Sequence, residues 1–303
     1  MKAALHSLIG GVLALLAALL LLGLASDLLG DPVSRHLGPE ADASAIAALR
    51  HALGLDAPLL DRLFGPLLAL LAGDLGESVW LRRPASGLVG EALGITLRLA
   101  LLAWPVGVAA GAALGLALAA LPARLARLPL LLMSVPGFVV AVLAVEVFSV
   151  GLGWAPAAGF GGLRSLVLPS ALLAAALAVK LGLLLQDGLR ALAHEPFSVF
   201  AESRGLSGAR LLLAYRLLPA SSLIARYGAL QAGYLLGGAL VVETVFALPG
   251  LGRLAVLALQ HGDLPLLRAC MLAAGTGFLL ARFAADTAQA LLDRRPSAAA
   301  VAA

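Results

Sequence analysis

The sequence predicts an all-α protein that crosses a membrane six times, with a cap on one side and a polar loop on the other. Three observations carry this expectation. Hydrophobic residues fill 61% of the 303 positions and charged residues only 13%, against roughly 45–50% and about 25% in a soluble domain. A soluble core has no room for that much apolar surface, so lipid is the solvent for most of the chain. The apolar residues also fall into six runs, each close to the roughly 20 residues that a spanning helix needs. Finally, the arginines concentrate in alternate loops between those runs, the asymmetry that sets orientation in a bilayer.

Residues 7–25 (SLIGGVLALLAALLLLGLA) form the first run. It is longer than the core of a secretory signal, and the following SDLLGDP is a poor cleavage site, so residues 1–25 read as a membrane anchor. Residues 26–90 are the one long polar region and read as an external cap lying on the membrane. Within it Asp42 can cap a short helix through residue 53, with Ile46, Leu49 and Leu53 on one face and Gly54 as the stop. A second, amphipathic helix is expected over 58–72. Residues 91–293 then form a five-helix core, with spans near 92–120, 129–150, 166–186, 221–247 and 265–290. Gly107, Gly111 and Gly115 repeat at small-xxx-small spacing, which lets two helices pack closely. The tail, 294–303, is expected to be disordered.

Arg124 and Arg127 lie between spans two and three. Arg190, Arg204, Arg210 and Arg216 lie between four and five, and Arg294 and Arg295 follow span six; the opposite short loops carry only Arg164 and Arg253. Both termini and the 187–219 loop are therefore expected in the cytoplasm. The net charge of +4 is scattered, with no basic block that would suit a nucleic acid. The single cysteine, Cys270, sits in an apolar run, and no Cys/His cluster suggests a metal. The five histidines (His6, His36, His51, His194, His261) lie outside span centres, so no catalytic constellation is visible and an enzyme is not expected. A P-loop needs Gly-Lys before Ser or Thr, and neither Lys2 nor Lys180 follows a glycine.

FAESRGLSGARLLLAYRLLPASS, Phe200 to Ser222, is the polar exception among the greasy runs. A helix can start at Glu195–Pro196 and run to Arg204, where Gly205 is a left-handed stop. Ser207 can cap a next helix over 208–217. Pro219 can open the fifth span, where its missing N–H costs little. Ala201 and Gly205 are small enough for a partner surface to approach, and Glu202 and Arg204 offer charges at the rim. A solvated loop and a rigid docking knob both fit this spacing.

The segment resembles the cytoplasmic coupling loop of ATP-binding-cassette importer permeases, in the dipeptide, oligopeptide and nickel branch. Ala201-Glu202-Ser203-Arg204-Gly205-Leu206 stands where that branch reads like Ala-x-Ala-Lys-Gly-Leu, and Leu218-Pro219 follows. The resemblance extends over nearly the whole chain: Gly30-Asp31-Pro32 and Leu53–Asp56 in the cap, GDLGES (Gly73–Ser78), RRP (Arg82–Pro84), SVPGF (Ser134–Phe138), GLGWAPAAGFGG (Gly151–Gly162) with Leu168-Pro169, and LLGGALVVETVFALPGLGRL (Leu235–Leu254). The ALLDRRP ending lacks the family's proline directly after Asp293. The resemblance implies a multi-pass permease subunit of the bacterial inner membrane, forming half of a pore for di- or oligopeptides or for nickel, free or chelated. It implies as partners a second homologous permease, two ATPase subunits on the coupling loops and an external solute-binding protein. The cofactor it implies is ATP, bound by the partners and not by this chain. The coupling-loop residues would be Ala201, Glu202, Arg204, Gly205, Leu206 and Pro219.

A charge inside a span costs about 2.5–3.5 kcal/mol on insertion scales and calls for a role. By its place in the family motif Glu243, with Thr244, lies at the outer end of span five; a gate role, a helix cap or an ion pair with Arg253 all fit. Arg98 shares a face with Glu91 and can snorkel outward. Lys180 and Glu146, near opposite ends of their spans, can face the pore or the membrane surface, and Arg226 and Arg268 can snorkel. Arg282 and Asp286, four apart, are expected to pair. The rival to an ATP-driven permease is a self-sufficient secondary transporter, which would want internal repeats and a midplane charged site. No clear repeat is visible. Neither the cargo nor the choice between a homodimer and a heterodimer of permeases can be read from the residues.

Overall fold

The computed structural model describes residues 2–28, 42, 44, 47, 56, 58–122 and 124–292. Every named element among them is helical. The elements are α1 (Lys2–Leu28), α2 (Leu59–Leu71), α3 (Ala85–Ala119), α4 (Pro129–Met133), α5 (Gly137–Ala144), α6 (Arg164–Ala193), α7 (Pro196–Ser203), α8 (Gly208–Leu211), α9 (Leu217–Gly238), α10 (Leu240–Val245), α11 (Leu251–Gln260) and α12 (Leu264–Leu292). The short cap helix expected over 42–53, the Gly30-Asp31-Pro32 stretch and the 294–303 tail lie outside the described residues.

Three helices, α3, α6 and α12, are long and apolar enough to cross a membrane by length and composition, and shorter apolar stretches occupy Leu8–Leu24 and Gly137–Gly151. The chain is an all-α polytopic membrane protein. Many large side chains on the outside are apolar, among them Leu101, Val106, Leu131, Val142, Val167 and Leu280. Such a surface would be unstable in water and is suited to hydrocarbon.

The third expected span, 129–150, is not one straight helix. Pro136 has no N–H to give and disfavours helix at the residue before it. The helix accordingly stops at Met133 and restarts at Gly137, then widens into i→i+5 turns over Val145–Gly151. The fifth span is also segmented. Wide turns at Leu212–Arg216 precede α9, and a break at Ala239 separates it from α10. The wide turns lie just before Pro219, whose ring would otherwise press on the carbonyl four residues back.

The core is centred on the α3–α6 pair, which pack along most of their length. The small-residue expectation is met in detail. A Cβ on Gly107 would sit 2.8 Å from Leu177 Cδ2, one on Gly111 2.9 Å from Leu181 Cβ, and one on Gly115 2.7 Å from Leu185 Cβ. The backbones approach this closely because three glycines line one face of α3. Within a membrane, where lipid is as apolar as leucine, close contact of this kind replaces the hydrophobic drive. α12 packs on α9 and α1, and α11 lies against α12 and α3.

Candidate functional site

The turns of the bundle gather at two ends. At one end sit 73–84, 152–163 and 246–263; at the other sit 121–128 and 190–216. Short polar contacts tie each set: Gly159 N–H donates to Phe246 O at 2.8 Å at the first end, and Arg190 Nη2 donates to Leu121 O at 3.1 Å at the second.

At the second end α7 starts with Pro196 at its first turn and stops at Arg204. Gly205 follows with φ +87 and Gly208 with φ +59, the left-handed region that a glycine enters without strain. The expected helix over 208–217 is instead α8 followed by the wide turns. Glu202 pairs with Arg216, which also donates through Nε to Ser198 Oγ at 2.8 Å. That clamp folds α7 back on the start of the fifth span and holds the hairpin rigid. Ala201 is only 2% exposed, so its small side chain serves packing within the chain and is not open to an approaching surface. The exposed face is built from Phe197, Val199 and Phe200, the last 62% exposed, with Arg204 Cζ 5.3 Å from the Phe200 ring centroid. Sequence reading chose the charged rim and the glycine; it missed these apolar side chains, for which the i, i+3 spacing of Phe197 and Phe200 was the available signal.

At the first end a buried polar node holds the 246–263 segment. Glu243 is fully buried at 0% exposure. Its Oε1 accepts from Thr96 Oγ1 at 2.6 Å and its Oε2 from Arg253 N–H at 3.0 Å. Thr96 in turn accepts the Leu251 N–H at 2.9 Å. Two of the otherwise orphaned donors at the start of α11 are thus satisfied by side chains from other helices. A carboxylate there also opposes the positive end of the α11 dipole. Gly250 and Gly252 leave the space: a Cβ on Gly250 would run into the Glu243 carboxylate, and one on Gly252 would lie 2.6 Å from Leu240 Cα. The ion pair considered for Glu243 and Arg253 is not formed. The Arg253 guanidinium donates to Ala247 O, across a turn in which Ala247 has φ +51.

A second buried carboxylate lies nearby and was missed by sequence reading. Asp263 is 0% exposed. It accepts Ser78 Oγ at 2.5 Å, Trp80 N–H at 3.1 Å and Leu266 N–H at 3.1 Å. It caps α12 and fastens the 73–84 segment at once. The Trp80 and His261 rings stack on each other with centroids 3.9 Å apart.

The remaining pore candidates are dispersed. Thr244 is exposed, and its hydroxyl donates to Leu240 O at 2.7 Å. Arg98 is exposed with Cζ 6.0 Å from the Phe160 ring centroid; Glu91 pairs instead with Arg83 at 2.7 Å. Glu146 and Lys180 are exposed, on the Val145–Gly151 turns and on α6. Among the described residues no ion pair joins Arg282 to Asp286, and both line a cavity with Arg226. Among the described residues no group of three or more His, Cys, Asp or Glu could hold a metal.

Comparison with known proteins adds a family. Residues 107–298 match the family described as binding-protein-dependent transport system inner membrane component. The glutathione transport system permease protein GsiC of Salmonella typhimurium is 35% identical over 269 residues, covering 87% of this chain and 88% of that protein. A protein of Brucella abortus named for a peptide transport system permease is 34% identical over 294 residues, covering 93% and 94%.

Proposed function

The chain belongs to the family of binding-protein-dependent transport system inner membrane components, and on that premise we propose that it is one permease half of an ATP-driven importer for short peptides. The family is a transport component, so the chain is not an enzyme. Peptide-class cargo is supported by relatives named for glutathione and for peptide transport, each aligned over most of its length. Nickel, free or chelated, is the other cargo of the branch that the sequence resembles, and no relative cited above carries that name.

In this reading a second permease completes the pore, and two ATPase subunits bind and hydrolyse ATP below it. A solute-binding protein delivers cargo at the end formed by 73–84, 152–163 and 246–263. Both termini and the 190–216 end face the cytoplasm. The observation that carries the reading is the clamped α7 hairpin, with its apolar face and its glycine turn at positive φ. A rigid projecting element transmits a push to the α6 and α9 ends from which it springs, so closure of an ATPase dimer biases the pore between two states. Ala201, Glu202, Gly205, Leu206 and Pro219 shape the hairpin, and Phe197, Phe200 and Arg204 meet the ATPase. Arg98, Glu146, Lys180 and Thr244 remain the exposed pathway candidates. Glu243 acts as the pin under the outer turn.

Co-purification tests the proposal. Tagged wild-type chain should bring down an ATP-binding-cassette ATPase subunit, and Phe200→Asp should lose it while still inserting into the membrane. A wild-type chain that purifies with no ATPase under mild detergent would favour the secondary-transporter alternative.

A further inference from the structure

Between α6, α9 and α12 lies a cavity of about 480 Å³, lined by Arg226, Tyr227, Tyr234, Arg282 and Asp286 among leucines. Three charges of both signs therefore meet inside the spans. Arg226 and Arg282 are exposed and Asp286 is half-buried, and among the described residues no hydrogen bond or ion pair occupies any of the three. Arg226 stands about nine residues into α9 and Arg282 about ten from the end of α12. At 1.5 Å per residue, both lie about 14 Å from the helix ends that flank the 190–216 loop. Leu184 on α6 lines the same cavity at a matching height above Ala193. Helices of 29 and 30 residues are about 44 Å long against a hydrocarbon core of about 30 Å, so the two arginines stand about 7 Å inside the core, where an ionisable group calls for a partner.

We propose that this cavity is a contact point for the peptide cargo. Arg226 and Arg282 take the C-terminal carboxylate, Asp286 takes the ammonium, and the two tyrosines flank the short backbone. The chemistry follows from the donor set. Two guanidiniums form charge-assisted bonds to one carboxylate, and a single carboxylate left beside them suits a cation on the same ligand. A zwitterion uses all three groups and leaves none of them unpaired within the spans. Leu223 and Leu230 form an apolar wall that accepts side chains without selecting among them. The inference rests on the peptide reading given above.

The test uses the complete transporter in proteoliposomes, with its binding protein and ATP. Radiolabelled Ala-Ala and its C-terminal amide are the probes. Wild type should import Ala-Ala. Arg226→Gln with Arg282→Gln should lower that import at least about tenfold, the loss expected when a charged hydrogen bond disappears, and should narrow the preference for Ala-Ala over the amide. Arg282→Lys should restore part of the rate. In a second measurement, a photoreactive benzoyl-phenylalanine at Leu230 should crosslink to Ala-Ala in the assembled complex. This arm reads the cavity even where the double variant fails to assemble. An unchanged rate and an unchanged preference would overturn the cavity assignment, as would crosslinking to phospholipid alone, and either result leaves peptide import standing. A wild-type complex that imports no peptide would instead overturn the reading on which the inference rests.

Discussion

Thr96→Val is the sharpest probe of the buried node at the outer end. The substitution keeps the shape of the side chain and deletes its hydroxyl. In the wild type that hydroxyl donates to Glu243 Oε1 at 2.6 Å and accepts the Leu251 N–H at 2.9 Å, with both contacts buried. A hydrogen bond to a charged group contributes about 1.5–3 kcal/mol, and a buried N–H left without an acceptor costs about 1–3 kcal/mol. One hydroxyl serves both bonds, so simple addition overstates the loss, and the expected cost is about 3 kcal/mol. The assay is reversible unfolding of the purified chain in mixed micelles, titrated with a denaturing detergent. Glu243→Gln should cost less, because an amide can still accept the Arg253 N–H through its oxygen. The double variant should fall short of the sum of the singles, since the two side chains share one bond. A Thr96→Val loss below about 0.5 kcal/mol, the range of an ordinary surface change, would refute the reasoning. Strict additivity with Glu243→Gln would refute it equally.

Three further outcomes are expected. Gly115→Ala places a methyl 2.7 Å from Leu185 Cβ and 2.9 Å from Gly182 O, so α3 and α6 must separate; unfolding should show a loss of about 1–3 kcal/mol, the usual cost of overpacking. Asp263→Ala removes the acceptor shared by Ser78, Trp80 and Leu266, and limited proteolysis should then cut within 73–84, where the wild type resists. In a Cys270→Ala background, an impermeant thiol reagent applied to cells stripped of their outer membrane should label Ser44→Cys and spare Ser207→Cys; the reverse pattern, or labelling of both, would overturn the orientation.

Much of the architecture is legible because membrane spans and helix ends are local signals. Long apolar runs mark the helices and Gly205 marks the left-handed stop, whereas the break at Pro136 is hidden inside an apolar run long enough to read as one span. The close packing of α3 on α6 is legible for the same reason, since glycines four apart stay on one face at any tertiary arrangement. The polar nodes are different. Thr96 and Glu243 lie 147 residues apart, and Ser78 and Asp263 lie 185 apart. No periodicity connects them, and a threonine in an apolar helix gives no sign of what it touches. The Arg282–Asp286 spacing points to an ion pair, because four residues bring two side chains onto one helix face. That same face fronts a cavity, where the two groups stand open to other partners. Ala201 likewise looks like a contact residue by size, yet the hairpin turns it inward and presents Phe197 and Phe200 instead.

The central claim is that this permease is driven by ATP through the α7 hairpin, and one measurement addresses it directly. Proteoliposomes holding the assembled transporter would be loaded with radiolabelled dipeptide and binding protein on one face and ATP on the other. Peptide movement should follow ATP hydrolysis, persist in the presence of a protonophore, and fall sharply in Gly205→Val, whose backbone needs φ +87. Transport that continues without ATPase subunits, or that collapses with the ion gradient while ATP is present, would contradict the account.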